Sequence, residues 1–266
     1  MTIQTYETVT LETDARGVAR LTLNRPDTHN ALNAKLIEEL IQVAGLLAAD
    51  NSVRVVVLSG EGKSFCAGGD FNWFKGNAEA DRATRIRESS KLAHMLNALN
   101  ALPKPLIGRI QGSAYGGGVG MISVCDIAVG VDTARFGLTE VRLGLIPANI
   151  SPHVVARIGA ANSRATMLSG ALFSAARAEK IGLLNETASP GDLDARIDAI
   201  IDDHLEAALG AVGETKRLIA FVASHSIDDN MIYTADRLAD AWETEEGTKG
   251  INSFLGKKLP PWRSGK

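Results

Sequence analysis

Two glycine-rich stretches in this chain could bind a developing negative charge through backbone N–H groups. Gly68-Gly69 comes after an apolar run at 53–58, and Gly116-Gly117-Gly118 follows an apolar run at 106–110 and leads into a small-residue helix. Such sites leave N–H groups free, and no side chain blocks a ligand from reaching them. Two donors converging on one oxygen make an oxyanion hole, the device that stabilises a thioester enolate. The alternative interpretation is close packing of a helix against a strand.

Glu140 is the candidate proton-transfer residue, because it follows Phe136-Gly137 and precedes an apolar segment. It could equally be an exposed carboxylate, which is the usual situation of glutamate. Asp70 comes directly after the first glycine pair, and we interpret it as an organiser of that loop near the ligand. Cys66 has no histidine partner nearby, so the pattern favours a buried small residue over a nucleophile.

Composition excludes several other function classes. The 266 residues are 45% hydrophobic with a net charge of -3, which predicts a sizeable core and argues against nucleic-acid binding through a basic surface. Two cysteines without metal-type spacing predict neither a disulfide framework nor a metal site. The glycine run lacks the Lys-Ser/Thr of a phosphate-binding P-loop. Without a visible signal peptide or membrane-spanning segment, we expect a cytoplasmic protein.

The elements that would position these residues alternate between strands and helices. Two strands at about 6–11 and 18–23 form a predicted hairpin, and Asn33 is a plausible N-cap for a helix through about residue 49. Further elements are predicted as a buried parallel strand at 53–58, a polar helix at 81–102, strands at 106–110 and 127–131, and helical segments at 151–169 and 174–181.

Pro190-Gly191 is the clearest break in the chain. Beyond it the periodicity predicts helices alone, at about 192–209, 212–224, 228–246 and 249–256. The sequence therefore predicts two regions, a βα-repeating core at 1–190 and a helical region at 191–266.

Segments spread over nearly the whole chain resemble the enoyl-CoA hydratase/isomerase family, also called the crotonase family. They are 23–26 with 30–33, 65–70, 112–126, 136–140, 144–147 and 250–255 with Lys257, Lys258 and Pro260. The resemblance implies an α/β fold, with a crotonase-like spiral core of ββα turns and a C-terminal helical trimerisation region. It also implies an acyl-CoA substrate, a homotrimer or dimer of trimers, and no metal or cofactor beyond the coenzyme A of the substrate.

The resemblance also assigns roles residue by residue. The oxyanion-hole amides fall on Gly69 and Gly117, and one catalytic glutamate falls on Glu140. Positions that hold substrate or coenzyme A fall on His29, Ala31, Leu32, Ala67, Gly69, Asp70, Phe71, Asn72, Gly117 and Thr139. The second glutamate of the two-glutamate hydratases falls on Gly120, which cannot transfer a proton.

This departure leaves three functions open. A single glutamate suits a Δ3,Δ2-enoyl-CoA isomerase, and the loss of an acid is also compatible with acyl-CoA binding without turnover. However, residues 138–152 and the Gly-Gly-Gly-Val-Gly run resemble a bacterial hydratase branch that acts on methylglutaconyl-CoA and related branched acids in leucine and isoprenoid breakdown. We therefore favour a hydratase that adds water to a 2-enoyl-CoA.

Overall fold

The computed structural model describes residues 2–263 and contains two β-sheets. The strands are β1 (Thr2–Thr5), β2 (Val9–Thr13), β3 (Val18–Leu23), β4 (Val55–Gly60), β5 (Ser64–Cys66), β6 (Leu106–Ile110), β7 (Ser113–Tyr115), β8 (Ile127–Val131), β9 (Arg135–Gly137), β10 (Phe173–Ser174) and β11 (Glu186–Ala188). The larger sheet has the order β1-β2-β3-β4-β6-β8-β11, and the smaller sheet has the order β10-β9-β7-β5. Pairing is antiparallel from β1 to β3 and parallel from β3 to β11.

Helices connect the strands and then continue alone. They are α1 (Ala34–Ala49), α2 (Phe71–Glu79), α3 (Arg82–Asn100), α4 (Gly117–Ser123), α5 (Ser151–Met167), α6 (Ala175–Lys180), α7 (Leu193–Leu205), α8 (Leu209–Val222), α9 (Ile227–Glu243) and α10 (Glu245–Leu255). Single turns of 3₁₀ helix occupy Pro26–Thr28 and Glu140–Leu143. Within residues 2–263, no helix combines the length and the apolar character that crossing a membrane requires.

Successive strands of the central region alternate between the two sheets. β4, β6 and β8 join the larger sheet, while β5, β7 and β9, each the next strand along the chain, join the smaller sheet before the chain turns into a helix. This repeat of two strands and a helix is the ββα spiral expected from the sequence, so the predicted α/β fold class is confirmed.

The core forms where the sequence is most regularly apolar. Asn33 caps α1, as predicted, because its side-chain oxygen accepts a hydrogen bond from Leu36 N at 2.8 Å. The face of α1 that includes Leu40 and Val43 is fully buried. Residues 55–58 of β4 are also fully buried, as expected of a strand that lies between β3 and β6 with both faces covered.

Several elements differ from the sequence prediction. The first hairpin strand runs over Val9–Thr13 and not from residue 6, and β1 pairs on its outer side. β5, β7 and β9 have three residues each, which is too short for an alternating pattern to be recognised. The helix α2 was not predicted, although Asp70 caps it by accepting a hydrogen bond from Asn72 N at 2.9 Å.

The boundary near residue 190 stays a prediction. The first helix beyond it, α7, packs against the larger sheet and buries Leu193, Ile197 and Ile201 almost completely. In contrast, α8, α9 and α10 contact one another and leave large apolar side chains in solvent, including Ile232, Leu238, Trp242 and Phe254.

Candidate active site

Three loops of the smaller sheet meet at one place because their strands are parallel neighbours. β5 pairs with β7, and β7 pairs with β9, so the carboxyl ends of all three strands lie along one edge. The chain leaves β5 towards Gly69, leaves β7 towards Gly117 and leaves β9 towards Glu140. The two glycine stretches singled out in the sequence are therefore adjacent: a Cβ built on Gly116 would lie 3.9 Å from Gly68 Cα.

Each glycine pair uses its first residue to turn the backbone. Gly68 has φ +91° and Gly116 has φ +48°, both in the region that side chains disfavour. Within residues 2–263, the N–H groups of Gly69 and Gly117 have no hydrogen-bond acceptor. Two unpartnered donors on adjacent loops can both donate to a single ligand oxygen placed between them.

Leu32 ties the two loops together. Its N–H donates to Gly68 O at 2.7 Å, and its carbonyl accepts from Asp70 N at 2.9 Å, so the backbone on both sides of Gly69 is fixed. The Leu32 side chain reaches the other loop, where a Cβ on Gly117 would lie 2.4 Å from Leu32 Cδ1. A Cβ on Gly69 would lie 2.5 Å from the Phe74 ring. A side chain at either position would therefore have to displace the end of the Leu32 or Phe74 side chain.

Glu140 begins the 3₁₀ helix and is directed at the same loops. A Cβ on Gly116 would lie 2.8 Å from Glu140 Oε1. The other oxygen, Oε2, is buried and has no hydrogen-bond partner among the described residues. Burial raises the pKa of this carboxyl above its usual range. A desolvated, unpaired carboxyl of this kind can take up and release a proton.

These groups open into a cavity of about 860 Å³. Part of its lining comes from α2 and α3, and another part comes from the 3₁₀ helix and residues 145–150. Most of the lining is apolar, and Glu140 and Arg85 are the charged side chains among the described residues that line it. A large apolar cavity with a few convergent polar groups is typical of a small-molecule site.

Comparison with known proteins assigns the family. The family model described as enoyl-CoA hydratase/isomerase matches residues 13–265. The chain belongs to this family.

Relatives match over nearly their full length. A 2,3-dehydroadipyl-CoA hydratase of Escherichia coli is 32% identical over 92% of this chain and 95% of its own. The crystal structure of an enoyl-CoA hydratase from Shewanella pealeana superposes with a TM-score of 0.93 at 33% identity, and covers 96% of each chain. AtuE of Pseudomonas aeruginosa gives the same TM-score and identity over 97% of this chain and 100% of its own.

The cavity brings together only part of the predicted site. Six of the predicted residues line it, namely Leu32, Ala67, Gly69, Gly117, Thr139 and Glu140. The others lie outside its lining: His29, Ala31, Asp70, Phe71 and Asn72. Of these, His29 Nδ1 lies 3.2 Å from Ser64 Oγ, and the Phe71 side chain is 79% exposed. The coenzyme A contacts implied for this second group stay predictions.

Asp70 has a structural partner that the sequence did not reveal. Its carboxylate accepts a hydrogen bond from Arg25 Nη2 at 2.8 Å, and both side chains are largely buried. Arg25 also donates to the carbonyl of Ala31, next to Leu32. The ion pair therefore holds the segment that carries Leu32 against the loop that carries Gly69, which agrees with the interpretation of Asp70 as a loop organiser.

Gly120, where the resemblance places the second glutamate of the two-glutamate hydratases, is buried inside α4. A Cβ there would lie 2.6 Å from Ile150 Cγ2 and 3.0 Å from Ile150 Cβ. Ile150 itself lines the cavity. An aliphatic side chain from the loop before α5 therefore occupies the space that a side chain at position 120 would need.

Sequence reasoning missed the part of the lining that comes from α2 and α3. Trp73, Asn77 and Arg85 line the cavity there, and no motif marks them. The one available signal was the helix propensity after Asp70, which would have placed Trp73 and Asn77 one turn apart on the same face. Cys66 is fully buried, as the sequence predicted. Burial raises the pKa of its thiol to about 12.

Proposed function

We propose that this protein is an enoyl-CoA hydratase that adds water across the double bond of a 2-enoyl-CoA. The observation that carries the proposal is Glu140, whose buried Oε2 has no hydrogen-bond partner among the described residues, and which lines the same cavity as Gly69 and Gly117, whose N–H groups have no acceptor there either. Family membership and the hydratase relatives over the full chain support the same activity.

In this proposal the thioester oxygen accepts hydrogen bonds from Gly69 N and Gly117 N. These bonds strengthen as negative charge accumulates on the oxygen, so they stabilise the enolate more than the substrate. The Glu140 carboxylate removes a proton from water while the water oxygen bonds to C3. The protonated Glu140 then delivers that proton to C2, so that one carboxylate serves both steps and ends unchanged.

Hydration of a 2-enoyl-CoA removes the conjugated enoyl thioester chromophore, so the reaction can be followed by absorbance. Glu140→Gln should lower kcat by at least about a hundredfold, the lower range for loss of general acid–base catalysis. The matched control is Glu61→Gln, which alters an exposed glutamate outside the cavity. Turnover by Glu140→Gln close to that of the control would overturn the proposal.

An isomerase is the second candidate, because Glu140 is the one carboxylate that lines the cavity in the described part of the chain. A single base can move a proton between C2 and C4 of a 3-enoyl-CoA. Incubation with both substrates separates the candidates: hydration of the 2-enoyl-CoA supports the hydratase, and migration of the double bond in the 3-enoyl-CoA supports the isomerase. Binding without either conversion would indicate an acyl-CoA-binding protein.

For the acyl group, we propose a branched chain of the 3-methylglutaconyl type. The support is the similarity of residues 138–152 to the corresponding hydratase branch. Comparison of 3-methylglutaconyl-CoA with crotonyl-CoA tests this, since equal or greater efficiency with crotonyl-CoA would contradict it.

We further propose that residues 191–266 form the oligomerisation region of a homotrimer or dimer of trimers. The exposed apolar side chains of α8, α9 and α10, such as Leu238 and Trp242, support it, because a monomer rarely exposes so many together. The coenzyme A moiety is proposed to lie along residues outside the lining of the cavity, namely His29, Ala31, Asp70, Phe71 and Asn72. Light scattering of Trp242→Glu against the unaltered protein tests the interface, and a monomeric unaltered protein would exclude it.

A further inference from the structure

The two charged residues among the described residues that line the cavity come from different elements. Glu140 is in the 3₁₀ helix beside the glycine loops, whereas Arg85 is in α3. No carboxylate within residues 2–263 lies within ion-pair distance of Arg85. A cation that lines an apolar cavity without an anionic partner can bind an anionic ligand group.

Backbone contacts hold the Arg85 guanidinium in place. Arg85 Nε donates to Asn77 O at 2.7 Å, and Nη2 donates to Ala78 O at 2.8 Å. These two bonds use the carbonyls at the carboxyl end of α2 and leave three of the five guanidinium N–H groups for other acceptors. The guanidinium is therefore positioned before any ligand arrives, which lowers the entropy lost on binding.

Trp73, in α2, supplies a second hydrogen-bond donor. Its Nε1 atom is buried and has no acceptor in the described part of the chain. Trp73 precedes Asn77 by four residues, so both lie on the face of α2 that lines the cavity. A buried indole N–H normally finds an acceptor, and here a ligand atom in the cavity can provide it.

We infer that Arg85 and Trp73 form a subsite for a carboxylate at the far end of the acyl chain, so that the substrate is a 2-enoyl-CoA of a dicarboxylic acid. The inference rests on the proposed function, which places the thioester at the glycine loops. Asp70 and Asn77 are seven residues apart, about 10 Å along α2. Arg85 is bonded to the carboxyl end of α2, so a short acyl chain has to separate a carboxylate held there from a thioester at the glycine loops.

The inference is distinct from a purely structural role, in which Arg85 only caps α2. The two roles are separated with a pair of six-carbon 2-enoyl-CoA substrates, one ending in a carboxylate and the other in a methyl group. The unaltered protein should have the higher kcat/KM for the carboxylated substrate. Arg85→Met should reduce that preference by about ten- to a hundredfold and leave the methyl-ended substrate nearly unchanged.

Three variants make the test specific. Arg82→Met removes an exposed arginine from the same helix outside the cavity and should keep the preference. Arg85→Lys retains the charge and should keep part of it. Trp73→Phe retains the ring, removes the N–H, and should lower kcat/KM for the carboxylated substrate alone.

The outcomes separate this inference from the proposed function. Hydration of both substrates without a preference, or an equal loss on both substrates in Arg85→Met and Trp73→Phe, would overturn the inference and leave the hydratase standing. Turnover of neither substrate by the unaltered protein would overturn both. Should Arg85→Met fold poorly, Arg85→Lys and Trp73→Phe decide, and unchanged preference in both variants would refute the subsite.

Discussion

The destabilisation caused by Gly120→Ala should depend on the side chain at position 150. Gly120→Ala places a methyl group 2.6 Å from Ile150 Cγ2 and 3.0 Å from Ile150 Cβ. Ile150 cannot move away easily, because it is β-branched, 2% exposed and packed in the core. The clash should cost about 1–3 kcal/mol, offset by up to about 1 kcal/mol because alanine favours the helix more than glycine does. Gly120→Ala should therefore destabilise the unaltered protein.

Ile150→Ala removes Cγ2, the nearer of the two Ile150 atoms. Alone it should cost about 2–5 kcal/mol, because it deletes a buried aliphatic side chain and leaves a cavity. The alanine keeps its Cβ, which would lie 3.0 Å from the methyl group added at position 120, so the severe clash is relieved and a tight contact remains. Gly120→Ala should then cost less than it does in the unaltered protein, and the coupling energy should be about 1–2 kcal/mol.

Urea unfolding of the four proteins, all at one protein concentration because association contributes to stability, measures the cycle. Equal effects of Gly120→Ala in both backgrounds would refute the reasoning, since they would mean that Ile150 does not occupy the space beside position 120. A change in the slope of the urea dependence would show instead that the unfolded state had changed.

Three further predictions follow from the same geometry. Gly117→Ala should lower kcat by up to about a hundredfold without unfolding the protein, as the clash meets the flexible end of Leu32; steady-state kinetics with circular dichroism checks it. Asp70→Asn should cost about 3 kcal/mol at neutral pH by leaving Arg25 buried and unpaired, which thermal unfolding measures. Glu140→Gln should stabilise the fold at neutral pH while lowering activity; equal unfolding free energies at pH 7 would contradict it.

The pH dependence of these last two effects has opposite sign. Burial alone raises the pKa of Asp70, but hydrogen bonds from Arg25 and from Asn72 N outweigh it and lower the pKa. The pair of Arg25 and Asp70 therefore stabilises the fold fully at pH values above the ordinary aspartate pKa of about 3.9. The loss of unfolding free energy caused by Asp70→Asn should shrink as the pH falls through the lowered pKa that Asp70 has in the folded protein. Burial raises the pKa of Glu140, so its destabilising charge appears only as the pH rises. Glu140→Gln should therefore not increase the free energy of unfolding at pH values below the ordinary glutamate pKa.

Periodicity and capping predicted the long elements, and resemblance predicted the fold. Asn33 and the apolar face of α1 are local signals, as is the continuous apolar run in β4, so the sequence carries them directly. The smaller sheet was missed because β5, β7 and β9 are three residues long and exist only through pairing with one another. That sheet is nevertheless what brings Gly69, Gly117 and Glu140 to one edge.

The part of the cavity lining that comes from α2 and α3 could not be predicted either, and the reason is different. Arg85 and Trp73 lie on helices whose polar faces resemble ordinary solvated surface, and α3 shows almost no separation of polar and apolar faces. Within the described residues, Arg85 has no ion-pair partner and Trp73 Nε1 has no hydrogen-bond acceptor. Such absences are visible only once the chain is folded.

Glu140 is the one carboxylate that lines the cavity in the described part of the chain, which determines its electrostatics. Two carboxylates in one cavity raise each other's pKa by repulsion, but here the raised pKa of Glu140 comes from burial. Ile150 lines the same cavity and brings no charge to it. A lone carboxyl whose pKa is set by desolvation responds strongly to a ligand that excludes water or delivers charge. Substrate binding should thus raise the pKa of Glu140 further, which makes the ionised carboxylate a stronger base toward the water that adds to C3.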